Sequence, residues 1–185
     1  MKKQPQVTEQ TRANLRQAFW ELYGTKPVEK ITIREITERA GYNRATFYLY
    51  FRDVYDLLAQ IEDEILGEVR HLVEHGLLQE ETLDFTHHMG RIVQLTQRYE
   101  TYMPKLIGSP YGDPAFTEKL KGILAPLLDR FILPAQGLTH EQRHVLREFY
   151  LSGLLAAITA WVGNPQRMPI DQLIALIVGA VLNRR

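Results

Sequence analysis

Residues 31–51 read ITIREITERAGYNRATFYLYF, and their local chemistry decides the fold. Thr32-Ile33-Arg34-Glu35 has the form of a capping box: the Thr32 hydroxyl can accept from the orphan N–H of Glu35, and the Glu35 carboxylate can reach back. That predicts a short helix with Ile33, Ile36 and Ala40 turned inward, stopped by Gly41 as a left-handed C′ residue. Asn43 is a good N-cap for another short helix ending at Tyr50 or Phe51. Two short helices joined by a tight turn at Gly41-Tyr42 have the geometry of a helix-turn-helix, whose second helix enters the major groove of DNA. Asn43, Arg44, Thr46, Tyr48 and Tyr50 crowd that second helix with hydrogen-bonding groups, and its N-terminus favours phosphate. Phe47 and Phe51, one turn apart, are expected to pack inward onto Ile36 and Phe19.

Working outward, the chain reads as helix throughout. Leu15, Ala18, Phe19 and Leu22 recur at helical spacing within residues 8–23, and Gly24 and Pro27 end that run. Asp53 can cap a much longer helix over residues 54–75. Residues 82–102 predict a further helix, and the Pro/Gly cluster from Met103 to Pro114 a bent connection. Residues 115–133 read helical, with Pro126 expected to kink or split the element. Thr139 and Gln142 repeat the capping-box logic and open a long apolar helix to about Val162. Gly163-Asn164-Pro165 breaks it, and Pro169 starts a last helix to about Asn183. No segment alternates with period two beside turn pairs, so the expected class is all-α.

Composition narrows the function. The 185 residues are 45% hydrophobic and 24% charged, which suits a globular domain or two small ones rather than a disordered chain. Without cysteine there is no disulfide framework or thiolate nucleophile, which fits a reducing compartment. The start, MKKQPQVTEQTRANLRQ, lacks an apolar core of the secretory kind, and the longest apolar-rich run, residues 149–162, is shorter than the roughly 20 residues of a membrane span. A cytoplasmic protein with no membrane partner is the expectation. The net charge of zero hides an asymmetry: residues 1–60 carry ten Lys plus Arg against seven Asp plus Glu, +3, and the remaining 125 carry twelve against fifteen, −3. A basic head on an acidic body is the pattern of a small DNA-reading domain attached to something else. Phosphate-loop, dinucleotide-glycine and nucleophile-elbow signatures are missing, so neither catalytic residues nor a cofactor are expected. His71/His75 and His140/His144 are i, i+4 pairs, but neither reads His-Glu-x-x-His, and no metal is expected.

The order Thr32, Ile36, Ala40-Gly41, Asn43, Thr46-Phe47-Tyr48, Tyr50-Phe51 and Arg52 resembles the DNA-binding domain of the TetR family, with a looser likeness over residues 8–60. Two positions depart from the family's habit: Asn43 stands for the usual capping Ser and Tyr50 for a frequent His, changes that bear on base preference. The resemblance implies a helix-turn-helix DNA-binding domain at residues 1–53 and a helical effector-binding and dimerisation domain at residues 54–185. It also implies DNA contacts from Thr8, Arg12, Thr32, Tyr42, Asn43, Arg44, Ala45, Thr46, Tyr48, Tyr50 and Arg52. Arg44 suits guanine O6/N7 and the Ala45 methyl suits a thymine methyl. The implied activity is that of a one-component regulator, a repressor released from a near-palindromic operator in double-stranded DNA by a small-molecule effector. The alternative is a regulator of either sign controlled by a partner protein. The phrase FYLSGLL at residues 149–155, followed by Trp161, is similar to a TetR-like subgroup that includes regulators of dihydroxyacetone kinase operons.

In the body, residues 149–162 are apolar all round, which calls for burial on both sides and predicts a homodimer. Leu151, Leu155, Ile158 and Val162, with Leu173, Ile177 and Val181 of the last helix, are the expected interface. Tyr99, Tyr102, Met103, Phe116, Phe131 and Trp161 are candidates for the lining of an effector pocket.

Overall fold

The computed structural model describes residues 5–108, 110 and 112–182, and among them all regular structure is helical. The helices are α1 (Pro5–Tyr23), α2 (Ile33–Ala40), α3 (Arg44–Tyr48), α4 (Val54–His75), α5 (Met89–Arg98), α6 (Met103–Ile107), α7 (Pro114–Phe131), α8 (His140–Val162) and α9 (Ile170–Leu182). Among the described residues two compact units form, residues 5–64 with 110 and residues 65–108 with 112–182, so the division falls inside α4. The expected end of α9 at Asn183 lies outside the described residues.

In the first unit, local chemistry sets each boundary. The Thr32 capping box forms as expected, with Glu35 accepting from the Thr32 backbone N–H at 3.0 Å. Gly41 stops α2 at φ 74°, a left-handed conformation that suits glycine. Asn43 Oδ1 accepts from the Thr46 N–H at 2.8 Å and starts α3, and Asp53 Oδ1 accepts from the Asp56 N–H at 2.8 Å within the first turn of α4. Leu15, Phe19, Ile36, Phe47, Phe51, Leu57 and Ile61 are essentially inaccessible and form the core on which α1 and α2 pack. A truncation such as Phe47→Ala would cost about 3–5 kcal/mol.

The second unit packs α7 on α8 through Leu128, Leu133 and Leu151. Arg147 grips Asp129 with two bonds, at 2.8 and 2.6 Å, and Lys121 bonds Glu148 at 3.0 Å, which fixes the rotation of α8 against α7. The Glu148 bond, with help from Glu118, raises the pKa of Lys121 above its usual value.

Several sequence expectations are corrected. The helix expected over residues 82–102 is confined to α5, preceded by a one-turn 3-10 helix at Thr86–His88. Asp84 Oδ1 accepts from the Thr86 N–H at 2.8 Å, and this local turn competes with helix at the position where the apolar pattern alone would extend it. Thr86 also holds the Asp84 carboxyl below its usual pKa, first through its hydroxyl and then through its N–H. The expected bent connection contains α6, because Pro104 sits in the first turn, where a missing N–H does no harm. Helix α3 ends at Tyr48, earlier than expected. Pro126 does not split α7, which runs unbroken from Pro114 to Phe131; the carbonyl that Pro126 leaves without its helical donor is that of Gly122.

Candidate nucleic-acid interface

The Asn43 cap fixes where α3 begins and therefore which side chains its first turn presents. Arg44 and Ala45 are exposed, Tyr48 is 58% exposed and Thr46 and Tyr50 are half-buried, while Phe47 lies wholly in the core. One short helix thus has an inner face that anchors it and an outer face of hydrogen-bonding groups. Its ring contacts hold that division: Phe47 packs at 5.3 Å on Phe51 and edge-on at 5.9 Å against Tyr48.

The cations of the unit differ in their engagement. Arg16 pairs with Glu64 at 2.8 Å, Lys26 with Glu35 at 2.6 Å, Arg34 with Glu38 at 2.7 Å, Arg39 with Glu21 at 3.2 Å and Arg52 with Asp56 at 3.2 Å. Arg12 donates to the Gln60 side chain at 2.9 Å. Arg44 makes no hydrogen bond or ion pair among the described residues, so its guanidinium fork is open to an external acceptor. Arg52 keeps an 86% exposed side chain even with its Asp56 contact. The Arg52 backbone N–H is the main reason that the Asp56 carboxyl titrates below its usual range.

Other expected DNA contacts also have structural duties. The Thr32 hydroxyl is engaged in the cap of α2, and Tyr42 accepts from Asn14 Nδ2 at 3.1 Å, tying the turn to α1. Thr8 is half-buried on α1. Sequence reasoning passed over Leu49 and Tyr55, which are 62% and 57% exposed beside these groups. Their signal was available: each is a large apolar or aromatic residue out of phase with the inward Phe47, Phe51 and Leu57.

The expected pocket and interface residues lie in the second unit. Tyr99 and Phe116 are buried in the core, and Tyr102 and Phe131 are half-buried. Met103 and Trp161 of that set line a cavity of about 160 Å³ that Glu100, Ile158, Val162, Arg167 and Leu173 also line. Arg167 stacks 4.8 Å over the Trp161 ring and pairs with Glu100. A second cavity, of about 110 Å³, is lined by Leu151, Ile177 and Val181 among others. Of the seven expected interface residues, six line these two cavities and Leu155 is buried. Val145, Phe149, Gly153, Ala156 and Ala160 form an exposed face of α8, and Leu176 lies exposed on α9. Only 11% of the most apolar part of α8 is buried within the protomer, and by length and composition α8 could cross a membrane.

Residues 15–61 match the family model for bacterial regulatory proteins of the tetR family. No curated protein matches the chain. Among solved structures, the chain is similar to a TetR transcriptional regulator from Streptococcus agalactiae 2603V, with TM-score 0.68 and 18% identity over 95% of this chain and 96% of that one. It is also similar to the fatty acid degradation regulator FadR from Bacillus halodurans, with TM-score 0.62 and 15% identity over 100% of this chain and 98% of that one. The dihydroxyacetone kinase operon activator DhaS aligns with TM-score 0.55 and 16% identity over 93% of this chain and 96% of its own. At these identities the likeness speaks to fold. The match to the tetR family model is confined to the head, residues 15–61, and over the whole chain the fold is that of TetR-type regulators.

Proposed function

We propose that the chain is a one-component, non-enzymatic transcriptional regulator of the cytoplasm, which binds a near-palindromic operator as a homodimer and represses until an effector in its body releases it. The observation that carries this reading is Arg44: an exposed guanidinium without an intramolecular partner among the described residues, in the first turn of a helix whose register is fixed by the Asn43 cap. A bidentate Arg–guanine contact needs a free fork at a fixed place, and Ala45 and Tyr48 flank it on the same exposed surface. Arg52, Tyr42, Thr46 and Tyr50, with Thr8, Arg12 and Thr32, supply hydroxyls, N–H groups and cations of the kind that contact phosphate. Of these, Arg12 must leave Gln60 to do so.

Dimerisation is supported by the outward face of α8 and α9. Phe149 at 66% and Leu176 at 59% exposure are large apolar groups left uncovered in the protomer, and Gly153, Ala156 and Ala160 let a second helix come close. A two-fold partner covers such a face with its own copy. It also holds two heads at a fixed spacing, which half-sites about 34–36 Å apart require.

The test is a mobility shift with fragments flanking the gene itself and its neighbours, scored for a palindromic footprint. Binding that shows no preference over random DNA at about 150 mM salt, where non-specific contacts are weakened, would refute the operator-reading role. If binding is specific but no small molecule alters it, control by a partner protein is the better account.

A further inference from the structure

The cavity of about 110 Å³ lies between α7, α8, α9 and the segment of residues 80–88 that precedes α5. Its twelve lining residues include no charged side chain, and the Tyr150 hydroxyl is their one polar side-chain group. Leu83 and Phe85 come from the segment, Leu127 from α7, Leu154 from α8 and Ile177 from α9. We propose that this cavity is a binding site for a neutral, apolar molecule of about the size of one aromatic ring, and that residues 80–88 are its lid.

Size and chemistry both set the class. A dry cavity of about 150 Å³ lined by Leu, Ile and Phe takes benzene, and this one is of the same order. Water needs two to four polar partners, which a single hydroxyl does not provide. A carboxylate or ammonium would lose its hydration with nothing to replace it, so a charged ligand is disfavoured. Tyr99 and Phe116 are buried in the core and are not among the residues lining this cavity.

The segment is built as a strap pinned at its ends. Glu80 Oε1 bonds His88 Nε2 at 2.9 Å, closing the segment on itself. Arg130 of α7 donates to the carbonyls of Leu78 and Glu80, the latter at 2.6 Å. Between these anchors the Asp84–Thr86 turn directs Leu83 and Phe85 into the cavity wall. These anchors are polar bonds at partly exposed side chains, whereas Leu128 and Leu151 of the core also line the cavity and are held by the packing of α7 on α8.

That occupancy alters operator affinity rests on the regulator reading above; that the cavity takes an apolar molecule does not. The full chain is titrated with toluene and, separately, with benzoate, following thermal unfolding and methyl NMR shifts. At toluene ten-fold above Kd, Tm should rise by about 3–5 °C, and shifts should cluster at the Leu83, Leu127, Leu154 and Ile177 methyls. Benzoate should do neither. Leu154→Trp, or Ile177→Phe if that variant fails to fold, should fill the space and abolish the response. The proposal is overturned if saturating toluene leaves Tm and these methyls unchanged, if benzoate acts equally, or if a filled variant responds like the parent. Mobility shifts with and without toluene then report separately: absence of operator binding in both arms counts against the regulator reading and leaves the cavity result standing.

Discussion

Replacing Phe149 with aspartate tests the outward face of α8 as a two-fold interface. A phenylalanine side chain buries about 150–250 Å² when fully covered. At 66% exposure in the protomer, Phe149 therefore has roughly 130 Å² left for a partner to cover. At about 25 cal/mol per Å² that is about 3 kcal/mol, and an isologous contact counts it twice, giving about 6 kcal/mol as an upper figure. Buried area converts to affinity incompletely, so a loss of about 3–6 kcal/mol is expected, a weakening of roughly 10²–10⁴-fold in dimer Kd. Sedimentation velocity over 0.1–100 μM, a range chosen as roughly that of ordinary dimers, reads this directly. Because Phe149 is outside the core, the variant should keep its far-UV circular dichroism. Operator affinity should fall with the dimer, while contact with an isolated half-site persists. A Phe149→Asp chain that is folded and sediments as the parent does would refute the assignment of this face.

Arg44→Ala should cost about 1–3 kcal/mol on the operator and relax preference at one base position, whereas Arg52→Ala should weaken all sequences alike and lower the salt slope by about one. Equal losses for Arg44→Ala on operator and random DNA would remove its base-reading role. The Glu35 carboxyl is held at about 2 by hydrogen bonds from Lys26, then from the Thr32 hydroxyl and N–H. A depressed folded pKa gives stability that is complete above the unfolded value near 4.5 and lost as pH falls toward about 2. With a side chain 39% exposed, solvent screening reduces the benefit to about 1 kcal/mol. Glu35→Gln should lower stability by that amount at pH 7 and by nearly nothing at pH 2, as urea unfolding would show; an equal deficit at both pH values contradicts the linkage. Arg130→Gln should release the strap, so amide hydrogen exchange over residues 80–88 should quicken while α7 and α8 stay protected. Unchanged exchange there would mean that Arg130 does not pin the segment.

The head was legible because its boundaries are local. Thr32, Gly41, Asn43 and Asp53 each act within three or four residues, so the helices follow from neighbours that a sequence shows side by side. The strap was not legible for a related reason. Phe85, Met89 and Ile92 recur at i, i+4, i+7, a pattern that fits a helix, and the pattern does not show that Leu83 and Phe85 belong to a wall shared with α7, α8 and α9. A single Asx turn at Asp84 outcompetes periodicity there, since an unsupported helix start contributes little against a satisfied local hydrogen bond. The pocket aromatics are a different case. Large rings such as Phe116 and Tyr99 attract attention as ligand surfaces, yet their size is also what fills a core without leaving space.

The facing of α8 shows how a missing signal could be recovered. A helix apolar on every side has no contrast between a polar and an apolar face to orient it, so Leu151, Leu155 and Ile158 were as plausible an outer stripe as Phe149 and Gly153. What orients it is charge. Arg143 and Arg147 sit one turn apart and both reach Asp129 on α7, which places their side of the helix against its neighbour. Leu151 continues the same i, i+4 row and is accordingly buried. At about 100° per residue, Val145 and Phe149 lie about 200° from Arg143 and Arg147, on the side away from α7. Their exposures of 58% and 66% agree with that rotation. In a helix whose apolar residues are uninformative, the partly buried ion pairs toward its packing partner determine which apolar face is left for a second chain.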